Sequence, residues 1–290
     1  MLKGMTFFDF MKLIRYKNLM IIFMTQMLVY YSLIEGKVFF IPDPVIMMLI
    51  LGTLLLTAAG YVINDYYDVE ADIINRGGKV VVGRIIEARK AIYLWIVLNI
   101  AALILSLTAG YQFVIFFAIV ALFLFFYAAY LKGIPLLGNI LVSTLLSLTI
   151  VLLWLYKRGL YFELMVLYVI FAFLTGLIRE ILKDMEDMEG DLVAGVSTFP
   201  IIFGITQTKR LVFALIMLLV VALIIFAIIM YGYYHYWVMM VYLLLFVLVP
   251  TSLALYLLQN AREKNDFEQL TRYMKFIVLM GSLSMVLLLL

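Results

Sequence analysis

The sequence predicts an all-α integral membrane protein, with about nine transmembrane helices around a central cavity and its N-terminus in the cytoplasm. Three observations carry that prediction. Hydrophobic residues make up 67% of the 290 and charged residues only 13%, with a mean hydropathy of +1.17, far from a soluble domain. The apolar residues are gathered into runs near the length of about 20 that a helix needs to cross a bilayer. The basic residues, finally, alternate in density from one connection to the next.

Phe7, Phe10, Met11 and Ile14 recur at helical spacing, with Lys3, Lys12, Arg15 and Lys17 as their basic complement. Residues 1–17 therefore read as an interfacial amphipathic helix rather than a cleaved leader. Nine spans follow: Leu19–Ile34, Val45–Ile63, Ala91–Ala109, Phe113–Leu131, Leu136–Tyr156, Tyr161–Ile178, Leu211–Tyr231, Trp237–Leu258 and Phe276–Leu290. With the N-terminus inside, 18 of the 21 Lys and Arg fall on the cytoplasmic side, the exceptions being Lys37, Lys157 and Arg158. That is the positive-inside bias. The cluster from Tyr231 to Trp237, His235 included, reads as an interfacial aromatic belt. No linker divides the chain, so residues 1–290 are expected to form one domain.

Two acidic segments stand where apolar runs end: NDYYDVEAD from Asn64 to Asp72, and REILKDMEDMEGD from Arg179 to Asp191. They follow spans 2 and 6, which run in the same direction, so both are expected on the cytoplasmic face, with 64–90 and 183–210 as catalytic loops. Ionisable groups beside hydrocarbon are costly and are presumed functional. On a continuing helix Asn64, Asp68 and Asp72 share one face, with Asp65 adjoining; Glu180, Asp184, Asp187 and Asp191 share another. Like charges at this spacing repel, so a cation is expected between them. The chain has no Cys and one His, which leaves oxygen ligands and favours a hard ion such as Mg²⁺. Mg²⁺ takes few carboxylates and completes its shell with water and phosphate, so a bridged diphosphate is expected. Arg76, Lys79, Arg84, Arg179 and Lys183 lie among these acids, as cations suited to a departing diphosphate.

The segment NDYYDVEAD resembles the first aspartate-rich motif, NDxxDxxxD, of the UbiA family of intramembrane prenyltransferases. KDMEDMEGD, from Lys183 to Asp191, resembles the second, and the nine-span layout extends the resemblance over nearly the whole chain. The resemblance implies Mg²⁺-dependent transfer of a polyprenyl group from its diphosphate to an acceptor, with diphosphate loss and capture of an allylic cation. It assigns Asn64, Asp68, Asp72, Asp184, Asp187 and Asp191 to metal and diphosphate. Asp68, Asp72, Lys183, Asp187 and Asp191 are the expected catalytic set, and Arg84, Lys183, Arg179 and Lys79 join Asn64 as diphosphate contacts. One segment departs from the family pattern: NRGGKVVVG, from Asn75 to Gly83, lacks both prolines of NRPxRPxxxG and has Lys79 for its second arginine.

The acceptor is expected to be geranylgeranylglyceryl phosphate, ahead of an aromatic quinone precursor of the hydroxybenzoate or dihydroxynaphthoate type. The donor, the acceptor and the bilayer are the expected partners, with no nucleic acid. A cation-coupled transporter is the rival reading. Against it, no ionisable residue lies deep in any span, where transporters commonly place coupling groups. A non-catalytic membrane scaffold leaves the paired acid spacing unexplained.

Overall fold

The computed structural model describes residues 5–37, 42–77 and 80–289, and of Arg76 the backbone alone. The described chain is helical apart from short connections and one isolated bridge between Val82 and Ile86. We number the helices α1 (Phe7–Leu13), α2 (Tyr16–Glu35), α3 (Pro44–Tyr67), α4 (Val69–Arg76), α5 (Ala88–Ala109) and α6 (Tyr111–Ala129). There follow α7 (Leu137–Tyr156), α8 (Phe162–Val193), α9 (Phe199–Gly232), α10 (Trp237–Asn260) and α11 (Lys264–Leu289). Among the described residues nine of these, all but α1 and α4, are long and apolar enough to cross a membrane.

Three boundaries differ from the sequence expectation, for one physical reason. Helix α8 continues through the second acidic segment to Val193, α11 begins at Lys264 rather than Phe276, and a short helical segment from Phe199 leads into the span of α9 across a kink at Gly204 (φ +78°, ψ 162°). Hydropathy marks where apolar residues stop, but a helix extends into water wherever its exposed side chains remain helix-compatible. In α11 the Arg272–Glu268 pair, at 2.9 Å and four residues apart, supports such an extension. The presumed loop 183–210 thus contracts to the connection between Val193 and Phe199. The interfacial helix expected over residues 1–17 is α1, closed by a capping box between Thr6 and Asp9 and ended before Arg15, whose φ is +51°.

Contacts divide the chain into two interleaved units. The first gathers the described residues of Met1–Met24, Ile41–Leu141 and Glu189–Ser197. Its centre is α3, packed against α5 and α6. Gly52 and Gly60 allow this approach: a Cβ on Gly52 would stand 2.8 Å from the Phe117 ring, and one on Gly60 3.2 Å from Leu124. Small residues at such crossings let membrane helices pack by dispersion, without a hydrophobic driving force between them. Leu13, Ala58, Ala59, Val62, Val81, Val82, Ile86, Ala91 and Leu98 form a buried cluster. It pins α1 and the segment after the first acidic motif onto α3 and α5.

The second unit gathers the described residues of Thr25–Phe40, Val142–Met188 and Thr198–Leu290. There α9, α10 and α11 pack together, and α2 and α10 each contain a π-helical stretch, Val29–Glu35 and Leu243–Leu248. Buried polar groups pair between helices: the Tyr168 hydroxyl with Ser284 at 2.7 Å, Thr25 with Ser282 at 3.0 Å, and the Gln26 amide donating to the Thr149 carbonyl at 3.0 Å. In hydrocarbon these groups have no water to fall back on.

Candidate active site

The first acidic motif begins on the last turn of α3, where Asn64 and Asp65 are buried, and crosses a helix break at Asp68. Asp68 leaves helical geometry (φ −93°, ψ 10°). The register survives, because the Asp68 N–H donates to the Asn64 carbonyl at 2.9 Å and the Asp72 N–H to the Asp68 carbonyl at 2.8 Å. The expected single helical face is therefore kept across two short-linked helices, α3 and α4. Asn64, Asp65, Asp68, Asp72 and Asp191 are all less than one-tenth exposed. Burying carboxylates is tolerable only with cations and hydrogen bonds at hand.

Lys132 is one such cation. It sits in the turn between α6 and α7, and its Nζ is 2.8 Å from Asp68 Oδ2 and 3.4 Å from Asp191 Oδ1. It thus joins the two acidic motifs through one ammonium. Asn64 Nδ2 donates to the same Asp68 oxygen at 2.6 Å. The second link is Asn75, whose Oδ1 accepts from the Gly190 N–H at 3.1 Å. Gly190 is required there, since a Cβ would run into the Asn75 side chain and the Ala71 carbonyl. The glycine inside the acidic run of α8 thus lets α4 approach and sets Asp191 beside Asp68.

Arg15 is the other cation. Its Nη2 donates to Asp65 Oδ1 at 2.9 Å, and its guanidinium lies 4.6 Å from the centre of the Tyr61 ring. Burial works against its charge, but Asp65, Tyr61 and Asp72 outweigh burial and raise its pKa above the ordinary guanidinium value. Asp65 therefore faces an arginine.

The expected cation site fits these residues in one respect. Asn64 Oδ1 is buried with no hydrogen-bond partner in the structure, an oxygen whose burial is costly unless something binds it, and it belongs to an all-oxygen donor set suited to a hard ion. No three acidic, His or Cys side chains converge on one metal-sized point among the described residues; between Asp68 and Asp191 the Lys132 ammonium stands instead. On α8, Asp184, Asp187 and Asp191 lie at i, i+3 and i+7, and Lys183 pairs with Asp187 at 3.3 Å.

The expected diphosphate contacts divide. Asn64 is in the cluster. Arg84 is exposed and donates to the Gly77 carbonyl at 3.3 Å, closing its own loop. Arg179 pairs with Glu180 at 2.5 Å. Lys79 lies outside the described residues, as does the side chain of Arg76. Lys132 and Arg15 were missed as site residues. Lys132 had a signal: it is the sole charge between Lys90 and Lys157.

Long apolar helices and a buried, mixed-charge cluster describe an integral membrane protein with a polar site. The chain belongs to the UbiA prenyltransferase family, whose model matches residues 23–279, and it is a prenyltransferase. A Methanosphaera stadtmanae protein named digeranylgeranylglyceryl phosphate synthase is 30% identical over 241 residues, covering 81% of this chain and 86% of that protein. Two solved structures are similar in fold. One, of digeranylgeranylglyceryl phosphate synthase, has a TM-score of 0.68 at 24% identity and covers 96% of both chains. The other is a UbiA homologue from Archaeoglobus fulgidus bound to GPP and Mg²⁺, with a TM-score of 0.69 at 14% identity, covering 96% of this chain and 99% of that one.

Proposed function

We propose that this enzyme transfers a geranylgeranyl-like group from its diphosphate to geranylgeranylglyceryl phosphate, on the cytoplasmic face of the membrane. The observation that carries the site is the joining of Asp68 and Asp191, one from each acidic motif, within reach of Lys132. The name of the Methanosphaera relative supports the acceptor, and the bias of basic residues supports the orientation, with the N-terminus inside. The whole chain, residues 1–290, acts as one catalytic domain.

Asn64, Asp68, Asp72 and Asp191, with Asp184 and Asp187 on α8, would hold Mg²⁺, which the ligand of the Archaeoglobus homologue supports. When bound, the ion supplies positive charge to the departing diphosphate. Lys132 donates to a diphosphate oxygen and adds charge neutralisation where negative charge grows. Lys183 and Arg179 are further phosphate donors on α8. Burial of the carboxylate cluster keeps water from the allylic cation, and the acceptor hydroxyl captures it, its oxygen forming the new C–O bond as its proton passes to the released diphosphate.

The test is purified enzyme with Mg²⁺, geranylgeranyl diphosphate and a panel of acceptors, read by mass spectrometry of the lipid product and by diphosphate release. The expected result is a digeranylgeranyl product from the glyceryl phosphate. Efficient prenylation of a hydroxybenzoate or dihydroxynaphthoate, with none of the glyceryl phosphate, would overturn the acceptor while leaving the enzyme class intact.

A further inference from the structure

Donor and acceptor both bring phosphate to this enzyme if the acceptor reading above holds, on which the present inference rests. A phosphomonoester carries about two negative charges near neutral pH, so it needs cations apart from those that serve the diphosphate. Lys132, between Asp68 and Asp191, is assigned above to the donor diphosphate. Arg89 is exposed and lies 5.9 Å over its neighbour Tyr93.

Arg15 differs from both. It sits in the junction between α1 and α2, where the chain passes from an interfacial helix with Phe7 and Phe8 exposed into the first span. Its guanidinium is oriented on two sides, by Asp65 at 2.9 Å and by the face of Tyr61 at 4.6 Å. Tyr61 is in turn fixed, its hydroxyl accepting from Asn18 Nδ2 at 3.2 Å. The backbone adopts φ +51° to deliver the side chain there, a conformation that costs a residue other than glycine. Only Nη2 carries the ion pair with Asp65. A guanidinium offers a fork of N–H donors suited to phosphate oxygens, and among the described residues the single-point bond to Asp65 leaves most of that fork unspent. The side chain is 21% exposed, so a ligand can reach it.

We infer that Arg15 recognises the phosphate of the acceptor, and that Asp65 and Tyr61 are positioning residues for it rather than members of the metal–diphosphate set. The consequence is selectivity for a phosphorylated lipid acceptor over an unphosphorylated one.

The test measures KM for donor and acceptor separately in the full-length enzyme with Mg²⁺, using geranylgeranylglyceryl phosphate and geranylgeranylglycerol. R15Q should raise the KM of the phosphorylated acceptor by about 10- to 100-fold, the range expected for losing hydrogen bonds to a charged group. Donor KM should change less than about twofold. R15K, which keeps the charge but loses the fork, and D65N, which frees the guanidinium, should show the same split to a smaller degree; they carry the test if R15Q does not fold. The difference between wild type and variants should vanish with geranylgeranylglycerol. A parallel rise in donor KM, equal losses on both acceptors, or unchanged kinetics would each overturn this inference. Wild-type enzyme that turns over no glyceryl phosphate at all would overturn the proposed acceptor along with it.

Discussion

Replacing Lys132 by methionine removes the charge that joins the two acidic motifs while keeping most of the side chain's volume. In the structure the ammonium is 2.8 Å from Asp68 and 3.4 Å from Asp191, whose side chains are 9% and 1% exposed. At an effective dielectric near 20, each attraction is about 5 kcal/mol before desolvation is counted. Lys132 is itself 17% exposed, and its own desolvation is recovered when it is removed. The expected loss is therefore about 3 kcal/mol, the lower end for breaking a buried pair. If Asp68 and Asp191 also direct oxygens at a divalent cation, that cation takes over the neutralisation. Ligand at one hundred times its Kd adds about 2.7 kcal/mol, comparable to the loss. The assay is thermal unfolding of detergent-solubilised protein by intrinsic fluorescence, in EDTA and in excess Mg²⁺. K132M should melt below wild type in EDTA, and the gap should largely close in Mg²⁺. An equal gap in both conditions, or none in EDTA, would refute the reasoning that these two carboxylates form a shared cation site.

Asp68→Ala and Asp187→Ala should each abolish prenyl transfer while the protein remains folded in membranes, checked by product formation at saturating Mg²⁺ beside a monodisperse elution profile. Gly190→Ala should destabilise the link between α4 and α8 by about 1–3 kcal/mol, the usual cost of an overpacked contact, because its Cβ meets Asn75 and the Ala71 carbonyl. Unfolding midpoint and transfer rate should both fall, and an unchanged midpoint would show that the contact gives way without cost. For topology, single cysteines at Ser197 and Tyr156 in this Cys-free chain should label from the cytoplasmic and outer sides respectively. Labelling of the Ser197 probe only from outside would reverse the orientation.

Fold class and the two acidic segments were legible from the sequence because both depend on local properties. A run of apolar residues has few options in a bilayer other than a helix that satisfies its own backbone, and acids spaced by three and four residues share a face wherever the helix continues. The same locality explains what hydropathy misplaced. It found where α8, α9 and α11 stop being apolar, whereas α8 runs on through charged residues to Val193, α11 starts at Lys264, and a further helical segment from Phe199 joins α9 across the Gly204 kink.

The pairing of charges belongs to tertiary structure alone. Lys132 meets Asp68 and Asp191 across 64 and 59 residues of chain, and Arg15 meets Asp65 across 50. Nothing in the spacing of an isolated lysine or an interfacial arginine names its carboxylate. Packing decides it, through Gly52 and Gly60 on α3 and through Gly190, which brings Asn75 to the second motif. Arg84, expected among the diphosphate contacts, donates to the Gly77 carbonyl of its own loop, a bond that its spacing from the first motif does not announce. The sequence determined which side chains are available for diphosphate chemistry, and the three-dimensional approach of helices decided which cation each buried acid holds, because charge pairing acts over a few ångströms and chain order does not set those distances.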